Sequence, residues 1–191
     1  RDYKVTGVQT CALPISTELT DALEPLLKQI DQLSETIKDY DARLERTARL
    51  HYDAPVRRLR STPGVGTLTA LAFVLTLGND PHRFPKSRDV GPFLGLNPKR
   101  RQSGDADPQL GITKAGNTLL RRLLVQCAHH ILGRFGDDST LRQWGLKIAE
   151  RGGARARKRA VVAVARKLAV LLHHLWISGE DFERFPAAPR I

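Results

Sequence analysis

Residues 61–67, with the sequence STPGVGT, decide how this chain is expected to fold, because they separate two apolar segments of helical period. Residues 56–60 end the first segment, and residues 68–75 begin the second. A proline next to closely spaced glycines ends one helix and allows a tight turn before the next. Gly64 and Gly66 also permit positive φ angles and close approach of the backbone to a ligand. The stretch therefore predicts a helix-hairpin-helix.

The start of the second predicted helix is a candidate phosphate site. The first amide protons of a helix have no intrahelical acceptor and point outward beside the positive end of the helix dipole. Gly64, Gly66 and Thr67 would present such a surface to a nucleic-acid backbone, and contacts of this kind do not read base sequence. The alternative is a tight turn between two core helices.

The composition favours a polyanionic partner. Lys and Arg number 31 against 20 acidic residues, which gives a formal net charge of +11 over 191 residues. Nucleic acid is the first expectation and an anionic membrane surface the second, with a basic protein of no special role as the alternative. No apolar run approaches the roughly 18 residues of a membrane span, and no membrane partner is expected. A reducing cytoplasm is the default compartment. The two cysteines and six histidines show no metal-ligand spacing, so no metal site is predicted.

Residues 1–16 are interpreted as foreign to the protein. Residues 5–15, VTGVQTCALPI, are the translation of a common sequencing-library adapter. Such a segment is excluded from reasoning about the fold, so Cys11 is not treated as a native cysteine. We expect the natural N-terminal sequence to differ from the one printed. The alternative is a natural disordered N-terminus.

Residues 17–52 carry a heptad pattern. Eight apolar positions alternate four and three residues apart, with charged residues between them. They are Leu19, Leu23, Leu26, Ile30, Leu33, Ile37, Tyr40 and Leu44. A single apolar stripe cannot bury itself and needs a partner, either another copy or another segment of a longer chain. The pattern therefore predicts a coiled-coil arm, and we expect a homo-oligomer formed through residues 19–44. The alternative is a helix packed on its own domain.

The polar stretch at residues 79–118 contains a candidate nucleophile, Ser103. Three cations precede it closely in sequence, Lys99, Arg100 and Arg101, and a glycine follows it. Lys114 and Arg121 are expected to converge on it in space. Cations in this arrangement would hold a scissile phosphate and stabilise the charge that develops on its oxygens. Ser-Gly is also an ordinary turn, so spacing alone does not establish this role.

Further helices are predicted on both sides of this stretch. Ser87 is placed to cap a short helix that ends near residues 93–96, and Asp138-Ser139 to cap another that ends at Arg151. The last predicted helix opens with a cation cluster that includes Arg155, Arg157 and Lys158. Cations are unfavourable at this end of a helix dipole, which favours an external anion such as DNA or RNA. The alternative is a solvated basic face.

Four motifs resemble a known family. They are PGVGTLTALAFVLTLGNDPHRFPKSRDVGPFLGLNP, RRQSG, GITKAGNTLLRRLLVQCA and KRAVVAVARKLAVLLHHLWISGEDF, and they fall within residues 55–182. Their order and spacing resemble the C-terminal domain of the DEDD-type, bridge-RNA-guided insertion-sequence transposases. The resemblance implies that Ser103 attacks a DNA phosphate and forms a transient phosphoserine link. It also implies a structured guide RNA as partner.

The same resemblance implies parts that this sequence does not supply. In the family, an upstream RuvC-like nuclease domain holds Mg²⁺ through four acidic residues, and nothing in this chain matches them. We therefore expect no cofactor in this chain and no catalysis by it alone. Pro92 interrupts a helix of the family pattern, and a local kink is expected there.

The sequence as a whole predicts an all-α fold, with a short β-hairpin around Ser103 as the one exception. The arm is followed by a helix-hairpin-helix domain at residues 53–180 and a tail at residues 181–191. The predicted contacts to DNA or RNA are Gly64, Gly66, Thr67, Lys99, Arg100, Arg101, Lys114, Asn117, Arg121, Arg155, Arg157 and Lys158. The function predicted is DNA transposition in a bacterial or archaeal cytoplasm. The alternatives are a non-catalytic adaptor that binds DNA and dimerises, a decayed remnant of a transposase, and an RNA-binding module.

Overall fold

The computed structural model describes residues 17–78, 80–100, 110–153 and 155–186, and these residues form an all-α fold as predicted. They contain seven α-helices, two short 3₁₀ turns and one isolated antiparallel β-bridge, between Pro98 and Ile112. The helices are α1 (Thr17–His51), α2 (Asp53–Arg60), α3 (Thr67–Leu77), α4 (Val90–Phe93), α5 (Thr118–Leu132), α6 (Thr140–Ala149) and α7 (Ala156–Ser178). The chain divides into two compact units, one ending at Arg43 and the other beginning at Leu44.

The described part of the first unit is the N-terminal portion of α1. Its apolar stripe faces solvent: Leu26, Ile30 and Leu33 are 55%, 57% and 62% exposed. Side chains one turn apart form ion pairs along the helix, including Lys28 with Glu24 at 2.9 Å. Such pairs stabilise an exposed helix by only about 0.3–0.5 kcal/mol each, so they do not replace burial of the stripe. The coiled coil remains a prediction.

The core of the second unit is built around α7. Eleven of its residues are buried, and it contacts α2, α4, α5 and α6. Small side chains allow this crowding, because a Cβ added at Gly145 of α6 would lie 2.5 Å from Val164 of α7 and 2.7 Å from Leu132 of α5. By length and composition alone α7 could also cross a membrane, which corrects the expectation that no apolar segment of the chain approaches that length. The core helix of a soluble protein passes the same test, and more than half of the apolar window is buried inside the protein.

Pro92 lies in a helix of only one turn, so there is no helix of greater length for it to kink. Residues Ser87–Asp89 make a 3₁₀ turn, and α4 follows as one turn of helix over Val90–Phe93. Pro92 therefore lies in the first turn of a helix, where an amide proton would have no intrahelical acceptor. The proline removes no hydrogen bond there, so the helix is short rather than bent.

The predicted cap at Ser87 is also wrong, because this hydroxyl is used by α7. Ser87 Oγ lies 3.0 Å from His173 Nδ1, and Pro81 O lies 2.9 Å from His173 Nε2. A carbonyl only accepts, so Nε2 carries the proton and Nδ1 accepts from the serine hydroxyl. His173 is fully buried, and this burial lowers the pKa of its imidazole below the ordinary value of 6.5. The neutral ring ties the loop before α4 to the core.

Other local predictions have mixed outcomes. Ser139 caps α6 as expected and accepts a hydrogen bond from the Arg142 amide at 3.2 Å. The segment directly after α7 is held on the second unit, because the Phe182 amide donates to Ser61 Oγ at 2.8 Å. The Thr140 amide donates to Arg184 O at 2.9 Å. The tail is therefore anchored on the second unit through residue 184.

Candidate nucleic-acid interface

The turn between α2 and α3 uses its two glycines differently. Gly64 has a φ of +81°, and a Cβ there would lie 2.9 Å from His130 Cδ2 on α5. Gly66 has a φ of −89° and precedes α3 in extended conformation, so it does not use the positive φ that glycine permits. A Cβ at Gly66 would meet nothing within 4 Å. Packing against α5 thus explains Gly64, whereas no contact among the described residues requires a glycine at position 66.

The start of α3 has an internal anion beside it. The first backbone bond of this helix is Ala70 N to Gly66 O at 3.0 Å, and within the described ranges no acceptor meets the preceding amides of Thr67 and Leu68. The Thr67 hydroxyl donates to the carboxylate of Glu45, and Arg60 Nη1 lies 3.4 Å from the same carboxylate. Sequence reasoning missed Glu45, because it lies 22 residues before Thr67 in a segment assigned to the arm.

The two chain segments that flank Ser103 pair with each other. The Lys99 amide donates to Gly111 O at 2.8 Å, and the Thr113 amide donates to Asn97 O at 2.9 Å. Ser103 and Arg101 themselves lie at residues 101–109, outside the described residues. Lys99 and Arg100 precede this segment and are exposed. The pairing holds the two ends of the segment together.

Lys114 is fixed by close packing of two loops. It is the one non-glycine residue with positive φ, +58°, in the described ranges, and its amide donates to Gly95 O at 3.0 Å. A Cβ at Gly95 would lie 2.2 Å from Ala115 O, and one at Gly116 would lie 2.0 Å from Phe93 O. The loops before and after the Ser103 segment therefore touch backbone to backbone, which leaves the Lys114 side chain exposed on a constrained turn.

Two of the predicted contact residues have structural roles. Asn117 caps α5, since its Oδ1 accepts from the Leu120 amide at 2.9 Å. Arg121 was expected near Ser103 as a nucleic-acid contact, but it is only 9% exposed. Its guanidinium donates to Leu94 O at 3.2 Å, Ala115 O at 2.8 Å and Thr118 Oγ1 at 3.2 Å. Arg121 thus supports the Lys114 turn from inside and exposes little of its side chain.

The last cation cluster lies on a separate element. Arg155 precedes the first residue of α7 and forms no side-chain cap, and Arg157 and Lys158 follow in the first turn. All three are exposed. Their position beside the positive end of the α7 dipole is unfavourable without an anion. Elsewhere in the described ranges, no three His, Cys, Asp or Glu side chains come together as a metal site.

Comparison with known proteins identifies the class. Residues 56–145 match the family described as transposase IS116/IS110/IS902. The chain is 34% identical over 172 residues to the transposase for insertion sequence element IS1111A of Coxiella burnetii. It is 35% identical over 135 residues to the transposase for IS1328 of Yersinia enterocolitica, and 31% identical over 142 residues to a probable family 20 transposase of Pseudomonas aeruginosa. The chain thus carries a domain of the insertion-sequence transposases, and that domain belongs to the IS116/IS110/IS902 family.

The matches cover most of this chain but under half of each relative. The Coxiella match spans 90% of this chain and 46% of the relative. The Yersinia match spans 69% and 40%, and the Pseudomonas match 73% and 40%. The family match includes the hairpin, the Ser103 segment and α5, and it ends within α6.

Proposed function

We propose that this chain is the C-terminal part of an insertion-sequence transposase, that it binds DNA, and that Ser103 is the nucleophile that attacks the scissile phosphate. The observation that carries the proposal is the family match over residues 56–145, which contains Ser103. The backbone pairing of residues 97–99 with 111–113 supports it, because it gives the Ser103 segment a fixed base. A functional residue on a loop is held in a defined position only if the scaffold beneath the loop is rigid.

The proposed step exchanges one phosphoester bond for another. Ser103 Oγ forms a bond to phosphorus, the bond from phosphorus to one sugar oxygen breaks, and the serine proton ends on the sugar hydroxyl that leaves. Attack by a sugar hydroxyl on the phosphoserine then reverses the exchange and joins a new strand. Lys99, Arg100 and Lys114 would hold the non-bridging oxygens, whose charge grows in the transition state. Exposure of these three side chains is consistent with that role.

Binding to the rest of the nucleic acid would be through its backbone. The exposed start of α3 at Gly66 and the cations that open α7 are two such surfaces. Mg²⁺ is part of the proposal only for the longer parent protein, where the resemblance implies an acidic site that would hold it. When bound there, it would neutralise phosphate charge. A structured guide RNA remains a proposed partner on the resemblance alone.

The arm is proposed to join copies of the chain. Its heptad stripe is exposed along residues 19–40, and unpaired apolar area of this kind favours association. The polar residues between the apolar positions keep the helix soluble on its other faces. A homo-oligomer formed in this way would bring two DNA-binding units to one reaction.

The test of the proposed function uses the longest reading frame that the source DNA provides around residues 17–191. Ser103→Ala should abolish strand joining while DNA affinity stays within about twofold, because one hydroxyl contributes little to backbone binding. Ser178→Ala removes an exposed hydroxyl at the end of α7 and should join strands like the parent. If Ser103→Ala still joins strands at the parental rate, the chain is a binding adaptor and Ser103 is a turn residue.

A further inference from the structure

A polar groove of about 440 Å³ lies between the end of α1 and α2, within the second unit. Glu45 and Arg49 line it from α1, and Asp53, Arg57 and Arg60 line it from α2. The apolar contribution comes from Ala48 and Val56, which are both buried. Pockets for small organic ligands are lined mainly by apolar and aromatic side chains, so this groove suits a charged group instead.

The charges in the groove are unevenly matched. Arg60 is paired with Glu45 at 3.4 Å. Arg49 and Arg57 form no hydrogen bond or ion pair with any residue in the described ranges, and both are exposed. Asp53 is the second carboxylate, so three guanidinium groups face two acids. Guanidinium forks match the geometry of phosphate oxygens, which makes an anionic oxygen ligand the natural occupant.

Glu45 connects this groove to the start of α3. Its carboxylate accepts from the Thr67 hydroxyl and lies against Arg60 at the same time. The Glu45 carboxylate contacts Arg60 and Thr67 as a phosphate oxygen would, because both groups donate hydrogen bonds to an anionic oxygen. Glu45 therefore links a residue that lines the groove, Arg60, to the first residue of α3.

We propose that this groove binds a phosphodiester group of a nucleic-acid backbone through Arg49 and Arg57, and that Glu45 is the internal anion that competes with it for Arg60 and Thr67. The proposal rests on the proposed function only in requiring that the chain bind nucleic acid. Ser103 has no part in it. The groove, which lies between α1 and α2, would add a contact to the nucleic-acid backbone beside the hairpin. The sequence already indicated Arg57, Arg58 and Arg60 as positive charge beside the hairpin, and Arg57 and Arg60 line this groove. Arg49 and Glu45 were not predicted.

The first experiment measures binding of the full chain to a labelled DNA duplex and to a labelled RNA hairpin at several salt concentrations. Arg57→Ala and Arg49→Ala should each weaken binding about fivefold and lower the salt slope by about 0.9 for duplex DNA, since one phosphate contact is lost. Lys147→Ala removes one exposed cation from α6 and is the matched control. It should leave the slope of the parent chain unchanged. A larger loss for one probe than for the other identifies DNA or RNA as the source of the phosphate.

The second experiment tests the competing anion. Glu45→Gln keeps an oxygen that accepts from Thr67 but removes the charge, so affinity should rise about threefold or more. If Glu45 is only a structural partner of Thr67, the variant lowers the melting temperature and leaves affinity unchanged. If Glu45→Gln does not fold, the two arginine variants decide the proposal by themselves.

The outcomes separate two failures. If the unmodified chain binds neither probe, the proposed function fails and the groove proposal falls with it. If the unmodified chain binds but Arg49→Ala and Arg57→Ala keep its affinity and salt slope, the groove proposal alone is overturned.

Discussion

Replacement of Arg121 by methionine tests the account of the turn that carries Lys114. The substitution keeps most of the apolar volume and removes a guanidinium with three protein acceptors, of which Leu94 O and Ala115 O are carbonyls. A buried acceptor left without a partner costs about 1–3 kcal/mol. The bond to Leu94 O is buried and the bond to Ala115 O is partly buried, so losses of about 2 and about 1 kcal/mol lower the free energy of unfolding by about 3 kcal/mol. With a urea m-value of about 2 kcal/mol/M, the unfolding midpoint should fall by about 1.5 M.

The assay is equilibrium urea unfolding followed by circular dichroism, with Arg122→Met as the matched control. Arg122 is the next residue on α5 and is exposed, so its replacement should shift the midpoint by less than about 0.3 M. The sequence-based alternative is that Arg121 contacts nucleic acid directly. It predicts the opposite pattern, in which Arg121→Met keeps its midpoint and loses affinity for DNA. That result would refute the structural role argued for this side chain.

Three further predictions concern the hairpin, the buried histidine and the arm. Gly66→Ala should keep the melting temperature, because an added Cβ meets nothing within 4 Å, and should lower DNA affinity if a phosphate approaches there. Burial lowers the pKa of His173, so the unfolded chain binds the extra proton first as pH falls below about 6.5. The free energy of unfolding should therefore decrease as the pH is lowered. The decrease should be smaller in His173→Gln, whereas a variant at an exposed histidine, His129→Gln, should show the same decrease as the parent. In sedimentation, Ile30→Asp on the heptad stripe should reduce self-association and Gln32→Asp off the stripe should not, and equal behaviour of the two would argue against a coiled coil.

The sequence was sufficient where local rules decide the structure. Helical periodicity on both sides of residues 61–67 placed α2 and α3, and a serine before an apolar helical pattern placed the cap of α6 at Ser139. These features depend on residues within a few positions of each other. The family resemblance extended the same local reasoning to ordered motifs, and the match over residues 56–145 confirmed the family.

The sequence was insufficient where residues far apart meet. Ser87 was expected to cap a helix, but it bonds His173, which lies 86 residues later. Arg121 was expected to converge on Ser103, but two of its three acceptors, Leu94 O and Ala115 O, lie in loops that no periodicity places beside it. Glu45 belonged to the arm by pattern, yet it lies against the start of α3. In each case the polar side chain bonds to a residue distant in sequence, whereas local sequence rules had assigned it another role.

The central claim is that Ser103 becomes covalently attached to DNA. The most direct measurement uses the longest available reading frame and a DNA substrate from the ends of the element, with sulfur in place of the leaving sugar oxygen. The thiol released is poorly suited to reverse the exchange, so a protein–DNA adduct should accumulate, and peptide mass spectrometry should locate it on Ser103. An adduct on another residue, or strand cleavage with no adduct at all, would contradict the account.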